Sequence, residues 1–203
     1  MWDSLGDKIY EHIISYTPSD LCDIVEGMSF CIDGMTVTIL SPDESKLTLL
    51  REKYSNNRPL CKSETDEVSV EAGNVVDDYA TPLNEFKPDI FHEDLSVENA
   101  SSIAALFECE GKTVLWLSDS VPSVIIHSLS KLGYSEANKL RCDVVLVSHH
   151  GSAANNSLAL LKMIQCDKYI FSADGINRHC LPNKETIARI IFTPVRDKNI
   201  NKK

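Results

Sequence analysis

No run in this 203-residue sequence reaches the ~20 consecutive apolar residues that a membrane-spanning helix requires, so no membrane association is expected. The opening stretch, MWDSLGDKIYEHIISY, carries acids early and lacks an apolar signal region, which points to a cytoplasmic protein. Basic residues are scarce. Twenty Lys and Arg stand against 30 Asp and Glu, a net charge of −10, which excludes a broad nucleic-acid-binding basic surface. A phosphodiester or nucleotide reached through a metal stays compatible with that charge. None of the seven cysteines (22, 31, 61, 109, 142, 166, 180) forms a CxxC pair, and their number is odd. Reduced core thiols of a cytosolic protein fit better than a disulfide framework.

Also missing are the glycine-rich phosphate loops GxxxxGK[ST] and GxGxxG. Ser152 sits in HHGSA rather than in the GxSxG elbow of a serine hydrolase. Cys180 lies beside His179, but neighbours on an extended segment point apart, which disfavours a thiol nucleophile. What remains is an ordinary globular composition, 43% hydrophobic and 25% charged, long enough to bury a core.

The periodicities describe an α/β chain. Leu5, Ile9, His12, Ile13 and Tyr16 recur at helical spacing, with Asp3 or Ser4 placed to cap. SFCIDGMTVTIL reads as a hairpin about Asp33-Gly34. A helix follows, with Ser41 as cap, Pro42 at its first position, and Leu47, Leu50 and Tyr54 on one face. Residues 63–98 hold eleven acids against the single Lys87, a balance equal to the net charge of the whole chain. Such a segment is expected to be a solvated, flexible insertion, or an acidic arm for a partner protein. Beyond it, SSIAALFECEGKTVLWLSDS predicts two strands joined at Glu110-Gly111. VPSVIIHSLSKLGY predicts a helix, DVVLVSHH a strand, NSLALLKMIQC a helix, KYIFSADG a strand and NKETIARII a helix. Strands alternating with helices imply crossover connections and a largely buried sheet.

Three successive strands end in polar groups: Asp119, then His149 and His150, then Asp174 leading to His179. In α/β sheets the crevice outside the carboxyl ends of the strands is the usual place for a site. Aspartate and histidine there suit zinc or manganese. The competing reading of Asp119 is a helix N-cap, and that of the paired histidines a surface turn. His12, His92 and His127 lie on helix patterns or in the acidic segment and are assigned no role.

Taken in order, ENASSIAALFECEGKTVLWLSDS, DVVLVSHHGSAANNS and FSADGINRHCLPNKETIARII resemble the C-terminal half of metallo-β-lactamase-fold hydrolases. The branch most similar is the one containing the soluble hydrolase domain of competence DNA-uptake proteins. Residues 99–192 carry the resemblance, and GMTVTILSPDESKLTLL resembles the strand-helix step before it. The resemblance implies part of an αββα sandwich, mixed sheets with flanking helices. Within it, residues 1–62 would supply the early helix, hairpin and strand-helix step, 63–98 the insertion, 99–192 the C-terminal half and 193–203 a polar tail. It implies Asp119, His149 and His150 as metal ligands and His179 as the catalytic residue contacting substrate. Asn99 and Ser101 would brace the adjacent strand, and Gly151 and Ser152 would support the turn. The chemistry implied is hydrolysis of a small-molecule or phosphodiester substrate by water activated on Zn or Mn.

The family's His-x-His-x-Asp-His string does not occur, and its final His-Pro reads Leu181-Pro182. Two expectations follow. One is a hydrolase half, truncated and inactive alone, with weak or incomplete metal binding. The other is a scaffold that lost catalysis and binds a protein or nucleotide. A half-sandwich leaves an apolar face uncovered, so a homodimer or a missing N-terminal half is expected against it. An unrelated α/β domain with fortuitous strand-end histidines is the third alternative.

Overall fold

Two tight hairpins start the sheet. Asp33 (φ 50°) and Gly34 (φ 83°) join β1 (Ser29–Ile32) to β2 (Met35–Ser41), and Glu110 (φ 49°) and Gly111 (φ 73°) join β3 (Ala104–Cys109) to β4 (Lys112–Trp116). Left-handed backbone at both central positions matches the right-handed twist of the flanking strands, as the sequence predicts for Asp33-Gly34. The computed structural model describes residues 23–56, 78–86, 90–174 and 179–193. The expected helix around residues 5–16 and the polar tail lie outside them.

β2 runs antiparallel to β3, pairing Val37 with Phe107 and Ile39 with Ala105. β4 then turns the sheet parallel. It pairs with β6 (Val144–Leu146), which pairs with β8 (Tyr169–Ile170), giving a mixed six-stranded sheet in the order β1-β2-β3-β4-β6-β8. β5 (Leu140–Arg141) and β7 (Ile164–Gln165) form a separate parallel pair. The protein is therefore α/β, a mixed sheet with flanking helices. Among the described residues no helix is long and apolar enough to cross a membrane.

The main core lies on one face of the sheet. Leu106, Leu115 and Val145 alternate inward from β3, β4 and β6 and meet Ile125 and Leu129 of α3 (Pro122–Lys131) with Leu160 of α4 (Leu158–Lys162). Val121, Val124, Ile125, Ser128 and Leu129 are buried at the i, i+3, i+4, i+7, i+8 spacing of an amphipathic helix. Full burial of each large aliphatic side chain contributes roughly 1.5–3 kcal/mol.

Three local expectations are corrected. The cap of α1 (Glu44–Asn56) is Asp43, whose Oδ1 accepts the Lys46 amide at 2.8 Å, not Ser41, which is buried at the end of β2. Tyr54 does not share the half-buried side of Leu47 and Leu50; it is 61% exposed. The strand expected from Ser101 starts later. Ser96 accepts the Asn99 amide and coils Val97–Ala100 into the short helix α2, so β3 begins only at Ala104. Of the cysteines, Cys166 is buried, but Cys31 and Cys109 end up exposed near the two hairpin turns; the five described are unpaired thiols. Burial, then the neighbouring Cys166 and Asp143, push the Cys142 thiol up to about 12.

The described part of the acidic segment is pinned to the body. Asp78, 6% exposed, accepts the Lys184 and Glu185 amides at 2.9 and 2.7 Å and so caps α5 (Lys184–Phe192). Glu93 accepts the Ser123 amide and hydroxyl at 2.8 and 2.7 Å and caps α3. Carboxylates at helix N-termini satisfy orphan amides and favour the helix dipole.

Candidate functional site at the strand ends

The carboxyl ends of β4, β6 and β8 are tied to one another by the segments that leave them. The His149 amide donates to Ser118 O at 2.7 Å, Ser148 Oγ donates to Ser120 O at 2.7 Å, and His150 Nδ1 lies 2.6 Å from Ser172 O. A carbonyl oxygen only accepts, so His150 carries its proton on Nδ1. The expected strand through His149 and His150 is shorter than the sequence suggests: β6 stops at Leu146, and Ser148–Gly151 form a tight helical turn.

Backbone strain concentrates here. Among the described residues, six non-glycine residues have positive φ; Asp33 and Glu110 belong to the hairpins. The other four are Ser118 (50°), His149 (45°), His150 (55°) and Cys180 (53°), all in the segments at this end of the sheet. Such conformations cost about 1–3 kcal/mol each and persist where the surroundings hold them. Gly151 (φ 91°) makes the turn out, and a Cβ there would lie 2.6 Å from Pro182 Cβ and 2.7 Å from the Phe171 ring.

Two asparagines hold the turn. Asn156, 1% exposed, donates to Ser148 O and Ser152 O at 2.9 and 2.8 Å and accepts the Ser148 amide at 3.3 Å. Asn155, fully buried, donates through Nδ2 to Asp94 Oδ2 (3.1 Å) and Asp119 O (3.3 Å). Neither residue caps the next helix; Ser157 does, accepting the Leu160 amide at 3.1 Å. Ser152 Oγ instead accepts the Ala154 amide within the turn. Behind this loop Arg189, 4% exposed, donates Nη1 to Ala153 O (2.6 Å) and Asn156 O (2.9 Å) and stacks 5.3 Å from the centre of the Phe91 ring.

His149 is the centre of the constellation. Its Nδ1 lies 3.0 Å from Asn155 Oδ1 and 3.4 Å from Asp94 Oδ2, and Asn99 Nδ2 donates to the same Asp94 oxygen at 2.6 Å. The tautomer follows from the partners. Asp94 and the backbone carbonyls only accept, so the Asn155 amide must turn its NH₂ to them and its oxygen to His149. Nδ1 therefore carries the proton, and Nε2 is left with the lone pair.

Burial disfavours the His149 cation, but the hydrogen bond to Asp94, the charge of Asp119 and the Asn155 contact outweigh it and raise the pKa above its ordinary 6.5. Burial likewise works against ionised Asp94. His149, Asn99, the Ser96 amide and Asn155 outweigh it and hold this carboxyl far below the usual carboxylate range.

Of the residues singled out from sequence, Asp119, His149 and Asn99 meet in this network, Asp119 through its charge and its backbone carbonyl. Asp119 is not a helix cap: α3 has Val121 at that position, and Glu93 supplies the carboxylate. Ser101 donates to Val97 O at 2.7 Å and Lys46 O at 3.2 Å, linking α2 to α1. His150 and His179 are exposed. Asp94, Asn155 and Asn156 were not anticipated. The one available signal for Asp94 was its place two residues before the capping Ser96 and five before Asn99.

A protein zinc site uses three or four side-chain donors. The His149 Nε2 and the Asp119 carboxylate are donors of the right type, and Asp94 behind His149 is the carboxylate that typically fixes a metal-binding imidazole. Yet among the described residues no group of three or more His, Cys, Asp or Glu side chains is arranged to hold a metal. No family model, curated protein or solved structure matches the chain.

Proposed function

We propose that this chain carries part of a metal-dependent hydrolase of the metallo-β-lactamase type, the six-stranded sheet being one layer of the αββα sandwich, and that it is catalytically incomplete as it stands. The observation that carries this reading is His149, fixed by Asp94 and Asn155 through Nδ1 beside Asp119, at the carboxyl ends of parallel strands. An imidazole held that way presents Nε2 alone to whatever enters the crevice.

In that role His149 would donate through Nε2 and Asp119 through its carboxylate to Zn or Mn, with His150 and His179 at the rim toward a phosphodiester or nucleotide. Zinc, when bound, lowers the pKa of its water from ~15.7 toward ~7. Asp94 keeps the imidazole in one tautomer and one orientation, and the buried Asn155 and Asn156 keep its backbone in the strained turn. Two donors leave the site short, and the sequence contains no His-x-His-x-Asp-His to complete it.

The purified chain is expected to bind zinc weakly in a calorimetric titration, to lose that binding in His149→Ala and Asp119→Asn, and to hydrolyse no bis(p-nitrophenyl) phosphate. Zinc binding indifferent to both substitutions would sink the reading of the site. Stoichiometric tight metal by elemental analysis would sink the claim of incompleteness. The shortage of donors also favours a second reading, a scaffold without catalysis that binds a nucleotide or a protein. Metal-independent nucleotide binding in the same titration would select it.

A further inference from the structure

Of the five described thiols, two are set side by side. β5 and β7 run parallel, pairing Leu140 with Ile164 and Arg141 with Gln165, and the Cys142 amide donates to Gln165 O at 3.0 Å. That bond carries the register one pair further and puts Cys142 next to Cys166. Side chains alternate along a strand. Leu140 and Ile164 are buried, Arg141 and Gln165 point the other way, and Cys142 and Cys166 return to the core side. There Cys142 packs on the cluster that contains Cys166. Neighbours on adjacent strands stand about 4.8 Å apart. A disulfide spans Cα separations of about 4.4–6.8 Å.

We propose that Cys142 and Cys166 are a redox pair, oxidised by hydrogen peroxide to a reversible disulfide that staples β5 to β7. Cys142, half-buried, meets the oxidant first; Cys166 is 7% exposed. The Cys142 sulfur attacks one peroxide oxygen, the O–O bond breaks, and a sulfenic acid forms with release of water. The Cys166 sulfur then attacks the sulfenic sulfur and expels its hydroxyl, which leaves as a second water with the Cys166 thiol proton. Two electrons pass from the sulfurs to one peroxide. That thiol proton had been donated to Lys168 O at 3.2 Å, and the carbonyl keeps the Val145 amide at 2.9 Å, so no acceptor is orphaned. Burial above all holds both thiols protonated, which makes the reaction slow at neutral pH. The bridge closes residues 142–166 into a ring that includes β6, the Ser148–Gly151 turn and α4. The inference stands apart from the metal reading and needs no hydrolytic chemistry.

The test treats the reduced full chain with hydrogen peroxide at about pH 8.5, where thiolate is more abundant, then alkylates it and digests with trypsin without reduction. Cleavage after Arg141, Lys162 and Lys168 leaves Cys142 and Cys166 each alone in peptides 142–162 and 163–168. The bridge is therefore read directly as the mass of the linked pair. That pair is expected as the main product, with the thermal midpoint raised by roughly 5–10 °C and both changes undone by dithiothreitol. Cys142→Ser treated alike, or Cys166→Ser should the first not fold, is expected to lose both. If neither folds, the linked pair in the parent decides. Both thiols staying reduced while Cys31 and Cys109 react overturns the proposal. So does Cys142 over-oxidised beside a reduced Cys166, or linked chiefly to another cysteine. A midpoint that does not rise overturns the staple, because the bridge would then form at the expense of the core.

Discussion

At His149 the chemistry is decided by which atoms its neighbours can offer. Asn155 is trapped between acceptors and must present its oxygen to Nδ1, so one buried amide selects the imidazole tautomer. Asp94 adds charge, and the linkage has two signs. His149 has its pKa raised above 6.5, so its share of stability is complete below about pH 6.5 and is lost as pH rises through the folded value. Asp94 has its pKa lowered from 3.8, so its share is present above about pH 4 and is lost as pH falls through the folded value. Together they stabilise the fold most between about pH 4 and 6.5. Asp94→Asn is expected to cost about 1–3 kcal/mol at pH 5.5 by urea unfolding, and to flatten the loss of stability that the parent shows between pH 5.5 and 8. Nitrogen NMR should find His149 protonated on Nδ1 in the parent and mixed in the variant. A parent already mixed would contradict the hydrogen-bond assignment.

The element that makes the site is the short turn Ser148–Gly151 rather than β6 itself. A three-residue strand delivers the chain, and the left-handed His149 and His150 then coil it so that the two rings stand 5.9 Å apart at 64°. Gly151 is required by space as well as by φ, since a Cβ would overlap Pro182 and Phe171. Gly151→Ala is therefore expected to destabilise by roughly 2–5 kcal/mol, combining left-handed backbone and overpacking. Thermal unfolding of the variant measures it, and a change below about 0.5 kcal/mol would mean that the loop against Pro182 yields freely. Strand length was the part of this element the sequence misstated. DVVLVSHH is a continuous β-forming run by composition, and the Asn156 bonds to Ser148 together with the His149 amide bond to Ser118 O hold the turn that ends it early.

For the molecule as a whole, acidic residues distant in sequence close the fold. Asp78 caps α5 across 107 residues to Glu185, and Glu93 caps α3 across 30 residues to Ser123. Asp78→Ala is expected to cost about 1–2 kcal/mol in urea unfolding and to speed proteolysis between residues 78 and 86, because two α5 amides lose their acceptor together. Unchanged proteolysis would show that Lys184, which donates to Tyr79 O and Thr81 O, and the Tyr79 hydroxyl, which donates to Pro182 O, hold that segment without Asp78.

Local chemistry, by itself, determined the two hairpins, the helix over Pro122–Lys131, the α/β class and the polar strand ends. Each of these depends on residues within a few positions of one another: Asp-Gly or Glu-Gly at a turn, apolar spacing of 3.6 or 2, a strand running into histidine. Only the tertiary structure decided which carboxylate meets His149. Asp94 lies 55 positions away, in a segment whose excess of acids suggests solvent. A like-charged run is costly to bury as a whole, but single members can be buried where an imidazolium or a helix N-terminus faces them. That partner choice is set by packing, and no local pattern encodes it.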